Sequence, residues 1–87
     1  MPEVLLSPRA VRDLEDVPQG DLGRVRARIL ALALEPRPPS CLKLGGSFYR
    51  LRVGDWRVLY AVEDAAGRVV VLRVLRRSER TYRRWDG

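Results

Sequence analysis

The sequence has no histidine and a single cysteine, and these two shortages exclude most familiar catalytic sites. Without histidine, neither a Ser-His-Asp nor a Cys-His arrangement can form, and the usual zinc sites are excluded as well. Cys41 cannot form an internal disulfide, and we expect it to lie in a loop without a catalytic role. We therefore expect chemistry based on arginine, tyrosine, lysine, serine or carboxylate side chains, with no metal and no cofactor.

Long apolar runs are scarce too. The N-terminal run Val4-Leu5-Leu6 is far shorter than the hydrophobic region of a signal peptide or a membrane span. We therefore expect a soluble, cytoplasmic protein. A chain of 87 residues predicts one domain, residues 1–87, with room for a single core between helices and a sheet.

Lysine is nearly absent: of 17 basic residues, only Lys43 is not arginine. The net charge of +6 is uneven, because residues 1–49 hold seven basic and six acidic side chains whereas residues 50–87 hold ten and five. Arginine binds phosphate through two parallel hydrogen bonds, but a GC-rich genome would produce the same preference over lysine. The positive charge itself suits nucleic acid, ribosomal RNA or an acidic protein as a partner.

The segment YRLRVGDWRVLY, residues 49–60, predicts a tight β-hairpin that turns at Gly54-Asp55. Glycine at the first central position favours a type II′ turn, and that turn fixes the register. Val53 then opposes Trp56, and outward from the turn the opposed pairs are Arg52 and Arg57, Leu51 and Val58, Arg50 and Leu59, and Tyr49 and Tyr60. Because opposed residues share a face and faces alternate along a strand, Arg50, Arg52 and Arg57 lie together on one face. The apolar residues and tyrosines line the other face, which is the predicted core.

The clustered arginines indicate a ligand. Like charges directly opposed across a ladder destabilise a sheet by about 0.2–1 kcal/mol per pair. Folding alone gives no reason to cluster them, so an anionic ligand is expected.

The remaining pattern predicts an α+β fold in the order β-α-α-β-β-β. Residues 3–6 form a short strand, Ser7-Pro8 starts a helix, and a second helix runs from about Gln19 or Asp21 to Leu34. The prolines at 36, 38 and 39 begin a loop that leads into an antiparallel sheet, and Val69 to Leu75 forms a central strand buried on both faces. We expect both helices on one face of the sheet, the arginines on the other, and a short helical tail over residues 78–86.

Charged residues on the two helices have a simpler interpretation. Asp13, Glu15 and Asp16 form an acidic patch that is expected to be a solvated helix face rather than a set of catalytic carboxylates. The same interpretation applies to the arginines at positions 24, 26 and 28.

From Leu44 to Tyr82 the chain resembles the RelE/ParE superfamily of bacterial and archaeal toxins. The resemblance rests on LGG at residues 44–46, YRLRVGDWRVLY at 49–60, VVVLRVLRR at 69–77 and a late tyrosine. It implies the RelE-like fold and a toxin held inactive by a small acidic antitoxin in a hetero-oligomer. RelE-like members cut messenger RNA in the ribosomal A site, whereas ParE-like members inhibit DNA gyrase.

The RelE-like resemblance implies site residues as well as partners, namely the ribosome and its messenger RNA. The attacking group is the 2′-hydroxyl of the RNA itself, a reaction that needs neither a metal nor histidine. The implied catalytic residues are Arg50, Arg52, Arg57, Arg77 and Tyr82, and the implied RNA-binding residues are Arg76, Arg80, Arg83 and Arg84.

Three functions stay open at this point: the RNA endonuclease, a ParE-like gyrase inhibitor without enzymatic activity, and an inactive relic that still binds an antitoxin. The group of arginines with a late tyrosine favours the endonuclease, because a gyrase inhibitor does not need five phosphate-directed groups in one concavity. Trp85 is the alternative to Tyr82 as the aromatic residue of the site, and both side chains could instead anchor the tail on the sheet.

Overall fold

The computed structural model describes residues 2–77 as a five-stranded sheet with two helices packed on one face. The elements are β1 (Glu3–Leu6), α1 (Pro8–Glu15), α2 (Gln19–Ala31), β2 (Cys41–Gly45), β3 (Phe48–Val53), β4 (Trp56–Glu63) and β5 (Arg68–Arg76). The strands lie in the order β1-β5-β4-β3-β2. Within the described residues, no helix has the length and hydropathy required to cross a membrane.

The helices begin and end close to the predicted positions. Ser7 caps α1, since its side-chain oxygen accepts a hydrogen bond from the Ala10 N–H at 3.1 Å, and Pro8 occupies the first turn. Helix α2 begins at Gln19 as predicted but ends at Ala31, three residues before the predicted Leu34. Leu34 is 75% exposed, so another helical turn would bury little apolar surface, and Pro36 restricts the residue before it.

The register of the β3–β4 hairpin is confirmed for all five predicted pairs, from Val53–Trp56 to Tyr49–Tyr60. Gly54 has φ +58°, while no residue other than glycine has a positive φ among the described residues. A positive φ at only the first central position is the type II′ pattern. The turn therefore sets the faces of β3 and β4 as the sequence predicts.

The predicted α+β class is confirmed, but two details of the sheet are wrong. The sheet was expected to be antiparallel, whereas β1 pairs in parallel with β5 and makes it mixed. Residues 41–45 were expected in a loop that included Cys41, whereas they form the edge strand β2 against β3. In the sequence alone this five-residue segment gives only a weak indication of a strand, because strand propensity depends on the partner strand.

The core lies between the helices and one face of the sheet, here called the helix face. The predicted core residues of β3 and β4 are all buried, and Val25, Ile29 and Leu32 of α2 pack in the same cluster. β5 is central, since it lies between β1 and β4. Its predicted burial on both faces is only partly correct, because Val70 and Leu72 are half-exposed. The opposite side of the sheet is called the arginine face below. The predicted helical tail lies outside the described residues.

The proline-containing connection after α2 is attached to the end of the sheet remote from the hairpin turn. The hydroxyl of Tyr60 donates to the Pro36 carbonyl at 2.8 Å, and Arg37 donates to the Tyr49 hydroxyl at 2.9 Å. Arg37 also pairs with Asp64 at 2.7 Å and lowers the pKa of that carboxyl below its usual value. Burial, followed by a hydrogen bond with Cys41, raises the pKa of Tyr60 above that of a free tyrosine.

The raised pKa of Tyr60 predicts a loss of stability in alkali. The unfolded chain releases this proton near pH 10, whereas the folded protein retains it, so stability is complete below pH 10 and falls as the pH rises above that value. We expect the Tyr60→Phe variant to show a flatter decline between pH 10 and 11, measured by urea unfolding.

At pH 7 the same variant should lose about 0.5–1.5 kcal/mol, because the Pro36 carbonyl loses its hydrogen bond. Tyr49→Phe is the control and should keep the alkaline decline, since the hydroxyl of Tyr60 remains. Equal slopes for Tyr60→Phe and the unmodified protein would contradict the assignment.

Candidate active site

Three predicted site residues meet on the arginine face beside the hairpin turn. Arg52 and Arg57 are cross-strand partners, and Arg50 follows two residues away on β3 on the same face. Directly opposed residues in an antiparallel pair lie about 5 Å apart. The arginines of β3 and β4 therefore form one compact group, as the register predicts.

Their exposure differs sharply. Arg57 is only 4% exposed, Arg50 is half-buried and Arg52 is exposed. The Nη1 group of Arg57 donates to the Trp56 carbonyl at 3.3 Å. A guanidinium this deeply buried is restricted in its conformations, so Arg57 is the fixed member of the group and Arg52 the accessible one.

A bulge in β5 places Arg77 on the same face. Leu59 pairs with Arg73 but Tyr60 pairs with Val71, so Leu72 is an extra residue and the alternation of β5 shifts by one. Beyond the bulge, Leu75 is the partner of Arg57, and the Arg77 N–H continues the ladder by donating to the Asp55 carbonyl at 2.7 Å. Arg77 therefore shares a face with Leu75 and Arg57 rather than with the core residues.

Ser7, the N-cap of α1, and Asp13 within α1 bind backbone groups of β5 beside the bulge, beyond the end of β1. The Ser7 hydroxyl donates to the Leu72 carbonyl at 2.9 Å, and the Asp13 carboxylate accepts from the Val74 N–H at 2.8 Å. The same carboxylate pairs with Arg73, also at 2.8 Å. The prediction of a solvated acidic face is thus wrong for Asp13, although it is confirmed for Glu15 and Asp16, which are exposed.

Replacing Asp13 with alanine should destabilise the protein by about 2–4 kcal/mol. The change leaves the Val74 N–H and the guanidinium of Arg73 without this acceptor, and the side chains of Asp13 and Arg73 are only 14% and 17% exposed. Chemical denaturation would measure the loss. Glu15→Ala, on the same helix but exposed, should change stability by less than about 0.5 kcal/mol; similar losses for both variants would refute a specific role for Asp13.

Arg76 lies apart from the other predicted site residues. It is the cross-strand partner of Trp56, and its guanidinium carbon lies 4.7 Å from the centre of that ring, on the helix face. The Trp56 indole N–H donates to Asp21 at 3.1 Å, and Asp21 also pairs with Arg24 at 3.0 Å. Sequence reasoning treated Arg24 as part of a solvated face, and the periodicity of α2 gave no sign of its position near the hairpin.

The remaining predicted site residues lie outside the described part of the chain. They are Tyr82, Arg80, Arg83 and Arg84, together with Trp85 as the alternative aromatic. Within residues 2–77, no group of three or more histidine, cysteine or carboxylate side chains has the geometry to hold a metal ion.

The arrangement on the arginine face is suited to binding and stabilising a phosphate. Arg50, Arg52, Arg57 and Arg77 supply many N–H donors and positive charge, because a guanidinium stays protonated in proteins. None of them can readily accept a proton. These four arginines can therefore stabilise negative charge that develops on a phosphate, but they do not themselves supply a proton acceptor.

The register that assembles these arginines depends on Gly54. A Cβ at this position would lie 2.8 Å from Nη2 of Arg24, and its φ of +58° is unfavourable for other residues. We expect Gly54→Ala to destabilise the protein by about 1–3 kcal/mol. Gly23→Ala in α2 is the matched control: no atom lies within 4 Å of its Cβ, so it should gain about 0.5–1 kcal/mol. Thermal unfolding of both variants would test the contrast, and a neutral Gly54→Ala would contradict it.

Comparison with known proteins identifies the family. The family described as ParE toxin of type II toxin-antitoxin system, parDE, matches residues 4–81. The chain belongs to the RelE/ParE superfamily of toxins. A curated relative from Methanocaldococcus jannaschii, described as a toxin and named RelE1, is 31% identical over 92% of this toxin and 93% of its own length.

Solved structures agree with this assignment. The toxin is 30% identical to a chain of the RelBE2 toxin-antitoxin complex of Mycobacterium tuberculosis, with a TM-score of 0.78 over 88% of this chain and 100% of that one. It is 26% identical to a chain of the archaeal RelE-RelB complex of Pyrococcus horikoshii, with a TM-score of 0.77 over 90% and 97%. The isolated RelE toxin of Escherichia coli, 16% identical, shares the fold with a TM-score of 0.79 over 97% and 94%.

Proposed function

We propose that this toxin is an endoribonuclease that cuts messenger RNA at A-site codons in the ribosome. The observation that carries the proposal is the position of Arg57, nearly buried in the middle of the sheet and directly opposed to Arg52. Two guanidinium groups held side by side on one face of a sheet can donate together to the oxygens of one phosphate. A phosphate of the RNA backbone is the anion that best fits this group. Action on ribosomes would take place in the cytoplasm.

The proposed reaction is an internal transesterification. The 2′-oxygen of a nucleotide attacks the adjacent phosphorus as its proton passes to a base, and the bond from phosphorus to the 5′-oxygen breaks. The departing 5′-oxygen takes up a proton, so the products are a 2′,3′-cyclic phosphate and a free 5′-hydroxyl. The RNA supplies the nucleophile, and the task of the toxin is to hold the phosphate and stabilise the charge that develops on it.

Each arginine has a proposed role that follows from its exposure. Arg57, which is fixed and nearly dry, stabilises the non-bridging oxygens of the phosphate in the transition state. Arg50 and Arg52 bind the phosphate and lower the pKa of a neighbouring group through their charge. Arg77 stabilises the departing 5′-oxygen, directly or through water. Tyr82 is the proposed base or stacking platform.

The outer arginines are proposed to hold messenger or ribosomal RNA away from the reacting phosphate. Arg76 is exposed at the end of β5, and Arg80, Arg83 and Arg84 follow it in the sequence. Contacts between arginine and phosphate position the nucleic acid but do not read its sequence.

An acidic antitoxin is the proposed protein partner. The related chains from Pyrococcus horikoshii and Mycobacterium tuberculosis were solved as toxin-antitoxin complexes. On the arginine face of this toxin, Leu42 is the partner of Arg50 in the sheet, and Phe48 lies two residues before Arg50; both apolar side chains are more than 40% exposed. An amphipathic, acidic segment would bury them and neutralise the arginines in a hetero-oligomer.

Replacement of Arg57 tests the activity. In translating ribosomes, brief exposure to the toxin should create new RNA 5′ ends within A-site codons. Arg57→Ala should lower the single-turnover cleavage rate by about 10²–10³-fold, as expected for the loss of one donor to a developing charge. Arg9→Ala on the exposed surface of α1 removes the same charge elsewhere and should cleave at the normal rate.

Two further measurements make the result decisive. Thermal unfolding of Arg57→Ala separates a catalytic loss from a folding defect, and Arg52→Ala, an exposed change at the same site, should also slow cleavage. Messenger RNA that stays intact while the toxin still arrests growth would refute the nuclease. Because the matching family model describes a ParE toxin, DNA gyrase is the second candidate target, and inhibition of supercoiling would then identify it.

A further inference from the structure

A second pair of arginines lies at the hairpin turn, on the helix face rather than the arginine face. Arg24 comes from α2, and its Nη2 atom lies 2.8 Å from the point where a Cβ of Gly54 would stand. Arg76 comes from the end of β5 and lies over the ring of Trp56, the first residue of β4. Two elements distant in sequence thus bring positive charge to the same turn that carries Arg52 on its other side.

Both side chains are held in place. One oxygen of Asp21 accepts from Arg24 at 3.0 Å and the other accepts from the Trp56 indole N–H at 3.1 Å. Trp56 is only 3% exposed, so it fixes Asp21, and Asp21 in turn orients Arg24 towards Gly54. Arg76 is oriented by its contact with the Trp56 ring. Arginines that are already ordered lose less conformational entropy when they bind a ligand.

Their positive charge is available to a ligand. The side chain of Arg24 is 57% exposed, and Arg76 is exposed as well. Among residues 2–77, five arginines lie around the turn, since Arg52, Arg57 and Arg77 join these two, against the carboxylates of Asp21 and Asp55. The end of the sheet is therefore positively charged on both faces.

We propose that the RNA strand passes from the arginine face around the Gly54-Asp55 turn onto the helix face, where Arg24 and Arg76 bind its phosphates. The inference rests on the proposed function, because it extends the path of the same substrate. Gly54 contributes to this arrangement, because the absence of a side chain lets the Arg24 guanidinium lie directly against the turn that the strand would pass. Arg24 thus contributes to RNA binding at the hairpin turn, although it lies on α2, which carries none of the proposed catalytic residues.

The contacts are made to phosphates and not to bases. The aromatic side chain of this group, Trp56, is buried and covered by Arg76, so no base can stack on it. The contribution of Arg24 and Arg76 to RNA affinity is therefore independent of RNA sequence and strongly dependent on salt concentration. An acidic polypeptide is the other polyanion to consider, but the surface continues directly from the arginines that face the reacting phosphate, which favours RNA.

The salt dependence of binding provides the test. The probe is a short single-stranded RNA with 2′-O-methyl groups, which the toxin cannot cut, and binding is followed by fluorescence anisotropy over a range of KCl concentrations. For Arg24→Ala or Arg76→Ala, the slope of log K against log salt should fall in magnitude by about 0.7, and for the double variant by about 1.4.

Arg26→Ala is the matched control. It removes the same charge from the same exposed helix, but two residues along α2 turn its side chain about 200° away from Arg24, beside the groove lined by Val4 and Leu6. We expect its slope to equal that of the unmodified toxin. Thermal unfolding should show that all these surface variants remain folded.

Several results would overturn the inference. An unchanged slope for Arg24→Ala, an equal change for Arg26→Ala, or no binding of the probe by the unmodified toxin at low salt would each do so. If Arg24→Ala lowers the slope for poly-L-glutamate but not for RNA, the surface binds an acidic protein instead. Cleavage in ribosomes is measured in parallel. If cleavage depends on Arg57 but Arg24→Ala leaves the salt slope unchanged, this inference alone is refuted. If Arg24→Ala lowers the slope but the unmodified toxin does not cleave, only the proposed nuclease is refuted.

Discussion

The bulge at Leu72 and Arg73 is the feature on which the arrangement of charges depends. Before it, Val69 and Val71 face the helices; after it, Leu75 and Arg77, also at odd positions, face the other way. Without the extra residue, Arg77 would lie on the helix face. The side chains of Ser7 and Asp13, at the start of α1 and within it, stabilise the bulged segment by binding the Leu72 carbonyl and the Val74 N–H.

A second constraint is that two neighbouring residues of β4 place very different side chains on opposite faces of the sheet. Trp56 fills the core while Arg57, the next residue, keeps a guanidinium nearly dry on the other side of the same strand. Burial restricts the motion of this guanidinium, and a charge held in low-dielectric surroundings interacts more strongly with an opposite charge than one that moves freely in water.

The sequence predicts those features that depend on local rules. The alternation of apolar and polar residues around the Gly54-Asp55 turn predicts the register of the β3–β4 hairpin, and Ser7-Pro8 predicts the start of α1. Features decided by distant partners were missed. The strand character of residues 41–45 needs β3, and the direction of β1 is set by its pairing with β5.

The same division holds at the site. The clustering of Arg50, Arg52 and Arg57 follows from the strand pattern, whereas the role of Asp13 could not be read from α1. Its partners lie about 60 positions later, and a bulge leaves no simple signature in a run of valines and leucines. Likewise, the order of arginines at 76 and 77 does not reveal that Trp56 holds one of them on the helix face.

The pairing of β1 with β5 has a consequence for how the chain folds. The Ser7 hydroxyl donates to a carbonyl 65 positions later, and β5 lies inside the sheet, between β1 and β4, although it is the last described strand to be synthesised. β1 and α1 emerge from the ribosome before β5, the strand against which both of them pack. Non-local contacts of this kind slow folding, and they make it cooperative. During synthesis, the arginine group can be completed only after β5 has joined the sheet, so a nascent toxin passes most of its translation without a formed site.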